Sequence, residues 1–427
     1  MAYALGVLLF ALGIVISLAI HEAGHMWSAR AFGMKVTKYF IGFGPTLWSF
    51  RRGETEYGVK PIPAGAFVKI IWMTPLEDEE DVAPADKHRV FWRKPLWQRT
   101  IVLSAGSISH FILGFLILWF AAVFVGVPNS PASATPASRV EVGRIESCVV
   151  TEWQYDAKAR WLRECKASDP ESPAAAAGLR PGDVITKIDG ESLKSWDSLV
   201  KRVRDSGGEK LTLTYQRDGV SKDATVTLPV AERPTLKVQT TDKDPADYTG
   251  KDLEKVGVIG VGLADSVTVG PIDGIGVAGQ YVGDMFIGTF KALAKFPEKV
   301  PKLFDALMGE ERDPETPISV VGASRLGGEI VEYEVWPLFF MLLAVLNLFV
   351  GVFNLFPLLP LDGGHIAIAW YEKVRSWAYA RLGRPDPGRV DYMKLMPLTY
   401  AVIIIFGLFT VLTVAADIVN PIELFTR

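Results

Sequence analysis

The sequence predicts a polytopic α-helical membrane protein of four transmembrane helices, with a soluble domain inserted between the second and third. Three observations predict it. Four apolar stretches, roughly 1–20, 100–127, 336–359 and 397–415, each approach the ~20 helical residues that cross a bilayer core. The 427 residues are 49% hydrophobic at a mean hydropathy of +0.22. That is too apolar for a soluble domain and too polar for a bundle of spans alone. The polar residues concentrate between the second and third stretches, over about 128–334. A net charge of only -3 implies no nucleic-acid partner.

The first stretch lacks a positive leader and is longer than the apolar core of a signal peptide, so a mature transmembrane helix is expected. At its end stands His21-Glu22-Ala23-Gly24-His25, an H-E-x-x-H pattern. On a helix, His21 and His25 share one face and can hold one zinc ion, with Glu22 beside them as general base. Two histidines reaching the interface from a helix end would satisfy the same pattern. The setting favours function: residues 1–20 carry no charged side chain, and an ionisable cluster next to such a run is costly.

Orientation follows from the loops. The connection 26–99 contains twelve Lys and Arg residues and the connection 366–396 contains six, whereas the extreme N-terminus has none. By the positive-inside rule both connections are cytoplasmic, and both termini and the inserted domain are extracytoplasmic. His21 then lies about 30 Å along the first helix, near the cytoplasmic boundary.

Residues 33–73 read as strands. Glycines punctuate Tyr39-Phe40-Ile41-Gly42-Phe43-Gly44-Pro45, and Glu56-Tyr57-Gly58-Val59-Lys60-Pro61-Ile62-Pro63 cannot stay helical. Membrane-associated β-hairpins against the catalytic core are expected, with an edge near 67–71 that could take an extended substrate by strand addition. A hairpin that only caps the bundle is the alternative. Residues 76–86 form an acidic loop. The second span opens with Ala105, Gly106 and Ser107, which allow close helix packing. His110 within it needs a hydrogen-bond partner, or else serves a metal.

Residues 128–139 are a Pro/Ser/Ala linker. The block Ala177-Gly178-Leu179-Arg180-Pro181-Gly182-Asp183-Val184-Ile185 follows, then Ile188-Asp189-Gly190, a helical stretch 196–204, and alternating strands at 211–215 and 224–228. This resembles a bacterial PDZ domain, so a PDZ-like α+β domain is expected over 140–232. Such modules take peptide ligands by strand addition. Cys148 and Cys165 lie near its start on the oxidising side, where a disulfide closing a small lobe is expected over two free thiols. Residues 233–334 should hold short strands and an amphipathic helical segment at 277–308, whose lysines suit a membrane surface. A helix packed on the inserted domain is the other reading.

The third span ends Asn354-Leu355-Phe356-Pro357-Leu358-Leu359-Pro360-Leu361-Asp362-Gly363-Gly364-His365. Its prolines and glycines should break the helix. Irregular backbone at membrane depth is tolerated where it lines a cavity. Asp362 at that break can supply a third zinc ligand, leaving the fourth position for water. A helix end with an N-cap aspartate would read the same way.

Taken together, H-E-x-x-H after the first span and N-x-x-P…L-D-G-G-H after the third resemble the site-2 protease family of intramembrane zinc metalloproteases, in its bacterial RseP-like branch with one PDZ insertion. The run from Gly42 to Tyr57 is similar to actinobacterial members. The likeness implies a membrane protease core made of 1–127 and 335–427 in a bacterial plasma membrane. It implies Zn2+ held by His21, His25 and Asp362, Glu22 as base, and Asn354 and Pro357 positioning unwound substrate. Apart from the likeness, His365 stands close enough to Asp362 in sequence to support the metal site from behind a ligand, with direct binding as the lesser alternative. The implied substrates are single-pass membrane proteins such as anti-sigma factors already trimmed by another protease, with the inserted domain filtering access. Two departures stand out. A proline falls at Pro360 where the family has one at the place of Leu359, and Ser107 and His110 replace a Pro and an Asn. The rival functions are a membrane-anchored zinc protease of extramembrane or misfolded substrates, and a non-catalytic PDZ scaffold.

Overall fold

A computed structural model describes residues 1–73, 83–129, 140–156, 161–238 and 245–425. Most of the acidic loop and most of the expected linker lie outside these residues. The chain divides into two compact units, one formed by Met1–Ala121 with Ala278–Arg427 and the other by Ala122–Val277.

The first unit begins with helix α1 (Ala2–Ala31), which runs well past the expected end of the apolar stretch. It stops at Gly33, whose φ of +69° suits a residue without Cβ. Gly33 N–H donates to Arg30 O and Met34 N–H to Ala29 O, a Schellman closure. The chain then forms β1 (Val36–Phe43), β2 (Trp48–Arg52), β3 (Thr55–Val59) and β4 (Ile62–Ile70). Strands were expected here as hairpins, but the sheet is mixed, in the order β2-β3-β1-β4. Strand β1 runs parallel to β3, with Tyr39 opposite Tyr57, and antiparallel to β4, with Tyr39 opposite Val68. This leaves β4 on an edge. A core of Met26, Ala29, Val36, Ile70, Phe91 and Val102 joins α1, the sheet and helix α2 (Leu96–Phe120).

In the second unit the strands are β5 (Val127–Pro128), β6 (Val142–Ile145), β7 (Tyr155–Asp156) and β8 (Trp161–Leu162). Then come α3 (Pro173–Ala176), β9 (Val184–Ile188), β10 (Glu191–Ser192) and α4 (Trp196–Asp205). The unit continues with β11 (Lys210–Arg217), β12 (Val220–Thr227), β13 (Val230–Pro234), β14 (Leu253–Gly257), β15 (Val261–Leu263) and β16 (Ser266–Val267). Ser195 and Ser198 form a capping box that starts α4. Asp218-Gly219, both at positive φ, turn β11 into β12 as a tight hairpin requires. The main sheet has the order β10-β9-β11-β12. Alternate residues Leu211, Leu213 and Tyr215 of β11 point into a core with Ile185, Ile188, Leu199 and Val203. Ile259 joins that core and β15 pairs with β6, so the module draws on residues beyond 232. Cys148 and Cys165 are joined, with Sγ–Sγ 2.07 Å. A cavity of about 720 Å³ lies between the disulfide lobe, α4 and residues 256–263, with Arg233 on its wall.

Helix α5 (Pro271–Leu307) carries the chain from the second unit into the first, which continues with α6 (Val320–Glu332), α7 (Trp336–Asn354), α8 (Asp362–Arg381) and α9 (Tyr392–Val419). Helix α6 packs on α1, and α7 and α8 pack on α2. Arg312 and Asp417, both nearly inaccessible, pair at 2.7 Å and tie the end of α9 to the α5–α6 connection. Among the described residues four helices, Ala2–Ala31, Leu96–Val125, Trp336–Asn354 and Tyr392–Val419, are long and apolar enough to cross a membrane. Leu5, Leu8, Leu12 and Ile16 of α1 and Ile404, Ile405, Leu408 and Val411 of α9 are exposed. So much outward apolar surface is what a lipid solvent demands. The protein is a multi-pass membrane protein.

Candidate metal centre

Helix periodicity puts His21 and His25 on one face of α1, and both are buried. Helix α7 ends at Asn354 and α8 restarts at Asp362, so the chain between them turns where Pro357 and Pro360 stand, and Gly363 and Gly364 fall in the first turn of α8. The turn includes a cis Leu359–Pro360 bond. It delivers Asp362, the first residue of α8, to the two histidines. His21 Nε2 and His25 Nε2 are 3.1 Å apart, and Asp362 Oδ2 is 3.3 Å from each. Among the described residues this trio forms the one cluster of three or more such side chains suited to a metal.

The donor set fits zinc. A tetrahedron with ligand bonds of about 2.0–2.1 Å has edges near 3.3 Å, close to all three separations. The hydrogen positions agree. His25 Nδ1 lies 2.7 Å from Val102 O, so it carries the hydrogen and donates it, leaving Nε2 as a bare lone pair. Asp362 Oδ2 is buried without a hydrogen-bond partner among the described residues. Lone pairs converging in a buried space are stable around a cation and repel without one.

Helix α2 closes one side. A Cβ on Gly106 would overlap His21 Cε1 and would lie about 2.5–2.6 Å from both Nε2 atoms, so only glycine lets α2 lie this close. Sheet and helix are clamped nearby. Tyr39 Oη donates to Ala19 O at 2.6 Å. Burial, with the Glu22 charge adding to it, pushes this hydroxyl up to about 12, so it remains a donor. Half-buried Glu22 accepts from the Val68 N–H of β4 at 3.0 Å. Since this N–H bonds α1, it belongs to the open side of the edge strand.

The other sequence candidates separate. Asn354 closes α7 half-buried, and its side-chain amide has no partner among the described residues; Pro357 is exposed in the turn. His365 lies outside the trio of donors, and its Nδ1 is 3.5 Å from Tyr392 Oη on α9. His110 is buried, with Nδ1 2.9 Å from Asn347 Oδ1. Sequence reasoning placed Val68 in the 67–71 edge without its contact to Glu22, and missed Val102 and Asn347. Val68 and Val102 act through backbone atoms that no residue type announces. Asn347 was findable as a polar side chain in the middle of an apolar span.

A model of peptidase family M50 matches residues 9–382. Zinc metalloprotease Rip1 of Mycobacterium tuberculosis is 40% identical over 427 residues, covering 100% of both chains. Regulator of sigma-E protease RseP of Escherichia coli is 28% identical over 439 residues, covering 86% of this chain and 90% of that one. Among solved structures, the PDZ domain of an SdrC-like protein from Listeria monocytogenes is 23% identical and covers 22% of this chain and 78% of its own. Its TM-score of 0.16 is too low for the likeness to bear on the fold. The family match and the full-length identity agree with the donor geometry: the chain belongs to peptidase family M50, the site-2 proteases, and is a zinc metalloprotease.

Proposed function

We propose that this protease cuts peptide bonds within the transmembrane segments of single-pass membrane proteins, anti-sigma factors among them, in regulated intramembrane proteolysis. One observation carries the reading. The three donor atoms are gathered among apolar spans, and the adjacent carboxylate is bonded to the edge of a strand. A protease of aqueous substrates has no need of either. The relative RseP is a regulator of sigma-E, which supports that substrate class.

In this reading His21, His25 and Asp362 hold zinc. When bound, zinc polarises the scissile carbonyl and lowers the pKa of the attacking water. Glu22 takes a proton from that water through Oε1, the oxygen not engaged by Val68, and returns it to the departing amide nitrogen. A transmembrane helix satisfies its own backbone, so it must first unwind. The open edge of β4 offers the freed backbone a strand partner. The amide of Asn354, without a partner among the described residues, and Pro357 in the turn after it steady the same segment.

The basic connections support a cytoplasmic-side active site, with both termini and the inserted unit outside. The inserted unit acts as a PDZ-like module for an extended peptide, which the cavity beside α4 has room to hold. Mapping the cut in a single-pass reporter by mass spectrometry tests the proposal. Cleavage inside the membrane segment is expected, and cleavage confined to an extramembrane loop would sink it. Membrane fragments that accumulate in a Glu22→Gln strain identify the natural substrates.

A further inference from the structure

We infer that His110 is a positioning residue for the metal site, the acceptor that fixes the ring of His21; this rests on His21 being a zinc ligand. The hydrogen positions along α2 lead to it. Asn347 Nδ2 donates to Leu343 O at 2.8 Å, so its Oδ1 is the atom facing His110. His110 Nδ1 must therefore carry a hydrogen, and Nε2 of the neutral ring is a bare acceptor. That acceptor is buried without a partner among the described residues. On α1, His21 turns Nε2 toward Asp362 and His25, so its hydrogen sits on Nδ1. That donor is also buried without a partner among the described residues. The two rings are neighbours, with centroids 5.0 Å apart and planes tilted by 42°. An orphaned donor and an orphaned acceptor thus sit on neighbouring rings, and the inference pairs them.

The arrangement completes a pattern. A metal-bound histidine is held by a hydrogen bond at its other nitrogen. For His25 that acceptor is Val102 O on α2. His110 comes from the same helix, one turn beyond Gly106, which faces both ligands. Helix α2 then supplies an acceptor to each histidine. The line His21, His110, Asn347 and Leu343 O runs through α1, α2 and α7, and Asn347 decides which nitrogen of His110 is free.

The test uses full-length protein in detergent, stripped of metal and titrated with zinc against a chromophoric chelator. Co2+ substitution reports ligand geometry in the visible spectrum. His110→Leu removes the acceptor and is expected to weaken zinc binding ~10–100-fold and to alter the Co2+ spectrum. His110→Gln, which restores an acceptor, should recover most of the affinity. Asn347→Leu keeps the ring but frees its tautomer, and should weaken zinc at least about threefold. Unfolding of the metal-free variants separates loss of binding from loss of fold. If His110→Leu and Asn347→Leu both bind zinc within twofold of wild type with an unchanged Co2+ spectrum, the inference is overturned. Should His110→Leu fail to fold, Asn347→Leu alone decides by the same criterion. A His25→Ala control that still binds zinc like wild type would overturn the site reading itself, a separate outcome.

Discussion

Glu22 and Val68 are joined by a hydrogen bond of 3.0 Å from the strand's N–H to the helix's carboxylate. The residue proposed as base and the edge proposed to receive substrate are therefore one connected device. Cleavage should respond to changes on either side of that bond.

On the helix side, Glu22→Gln keeps the shape and removes the proton acceptor. Zinc content by elemental analysis should stay at the wild-type value, while turnover of a reporter falls ~10²–10⁴-fold. Wild-type turnover in this variant would remove Glu22 from the chemistry.

On the strand side, Val68→Pro deletes the N–H. Proline is tolerated on edge strands, so the sheet should survive. Zinc content is expected to hold and kcat to drop roughly tenfold or more, because a loosened base loses alignment. An unchanged kcat with an intact sheet would detach β4 from the reaction.

Asp362 is proposed as the third corner of the metal site, and its Oδ2 lies 3.3 Å from each histidine nitrogen. Chelator treatment should abolish cleavage by wild type, and zinc should restore it. Asp362→Ala should not be rescued at the same zinc concentration, since two histidines alone hold zinc far more weakly. Equal rescue of both proteins would count against Asp362 as a ligand.

The inserted unit should respond to acid through Asp183, which accepts from Arg217 Nε and Nη2 at 2.7 Å each and from Arg180 N–H at 2.7 Å. Burial opposes its ionisation, but Arg217 and the Arg180 N–H outweigh burial, and its pKa lies below the ordinary value. A depressed carboxylate stabilises the fold above its unfolded pKa of about 3.9, and that contribution is lost as pH falls through the folded value. Asp183→Asn should speed amide exchange in β11 on the order of tenfold at pH 7 and by much less in acid below the folded pKa. Equal effects at both pH values would deny the ion pair its role.

Residue types that carry their own chemistry were legible in the sequence. His21 and His25 announce a shared helix face by spacing, and Pro357 through Gly364 announce a broken helix that can present Asp362. The spans were legible because lipid demands long apolar runs. Their ends were less so: α1 continues to Ala31, with His21 and His25 buried and the Ser28 hydroxyl bonded back to Gly24 O, so polarity there marks a helix face rather than a loop. The parallel pairing of β1 with β3 was hidden, since alternation describes a strand and not its partner. Strand β15 was hidden as well, because it follows the β13–β14 ladder in sequence yet pairs with β6. Contacts made by Val102 O and Val68 N–H leave no trace in side-chain type.

The division of the proposed metal donors between the two ends of the chain has a consequence in time. His21 and His25 lie on one helix and are in place as soon as α1 inserts, but Asp362 follows the whole inserted unit in sequence. A nascent or truncated chain carries only two corners of the triangle. With the proposed ligand set, full metal affinity then waits until the C-terminal spans have docked, so that zinc is acquired last.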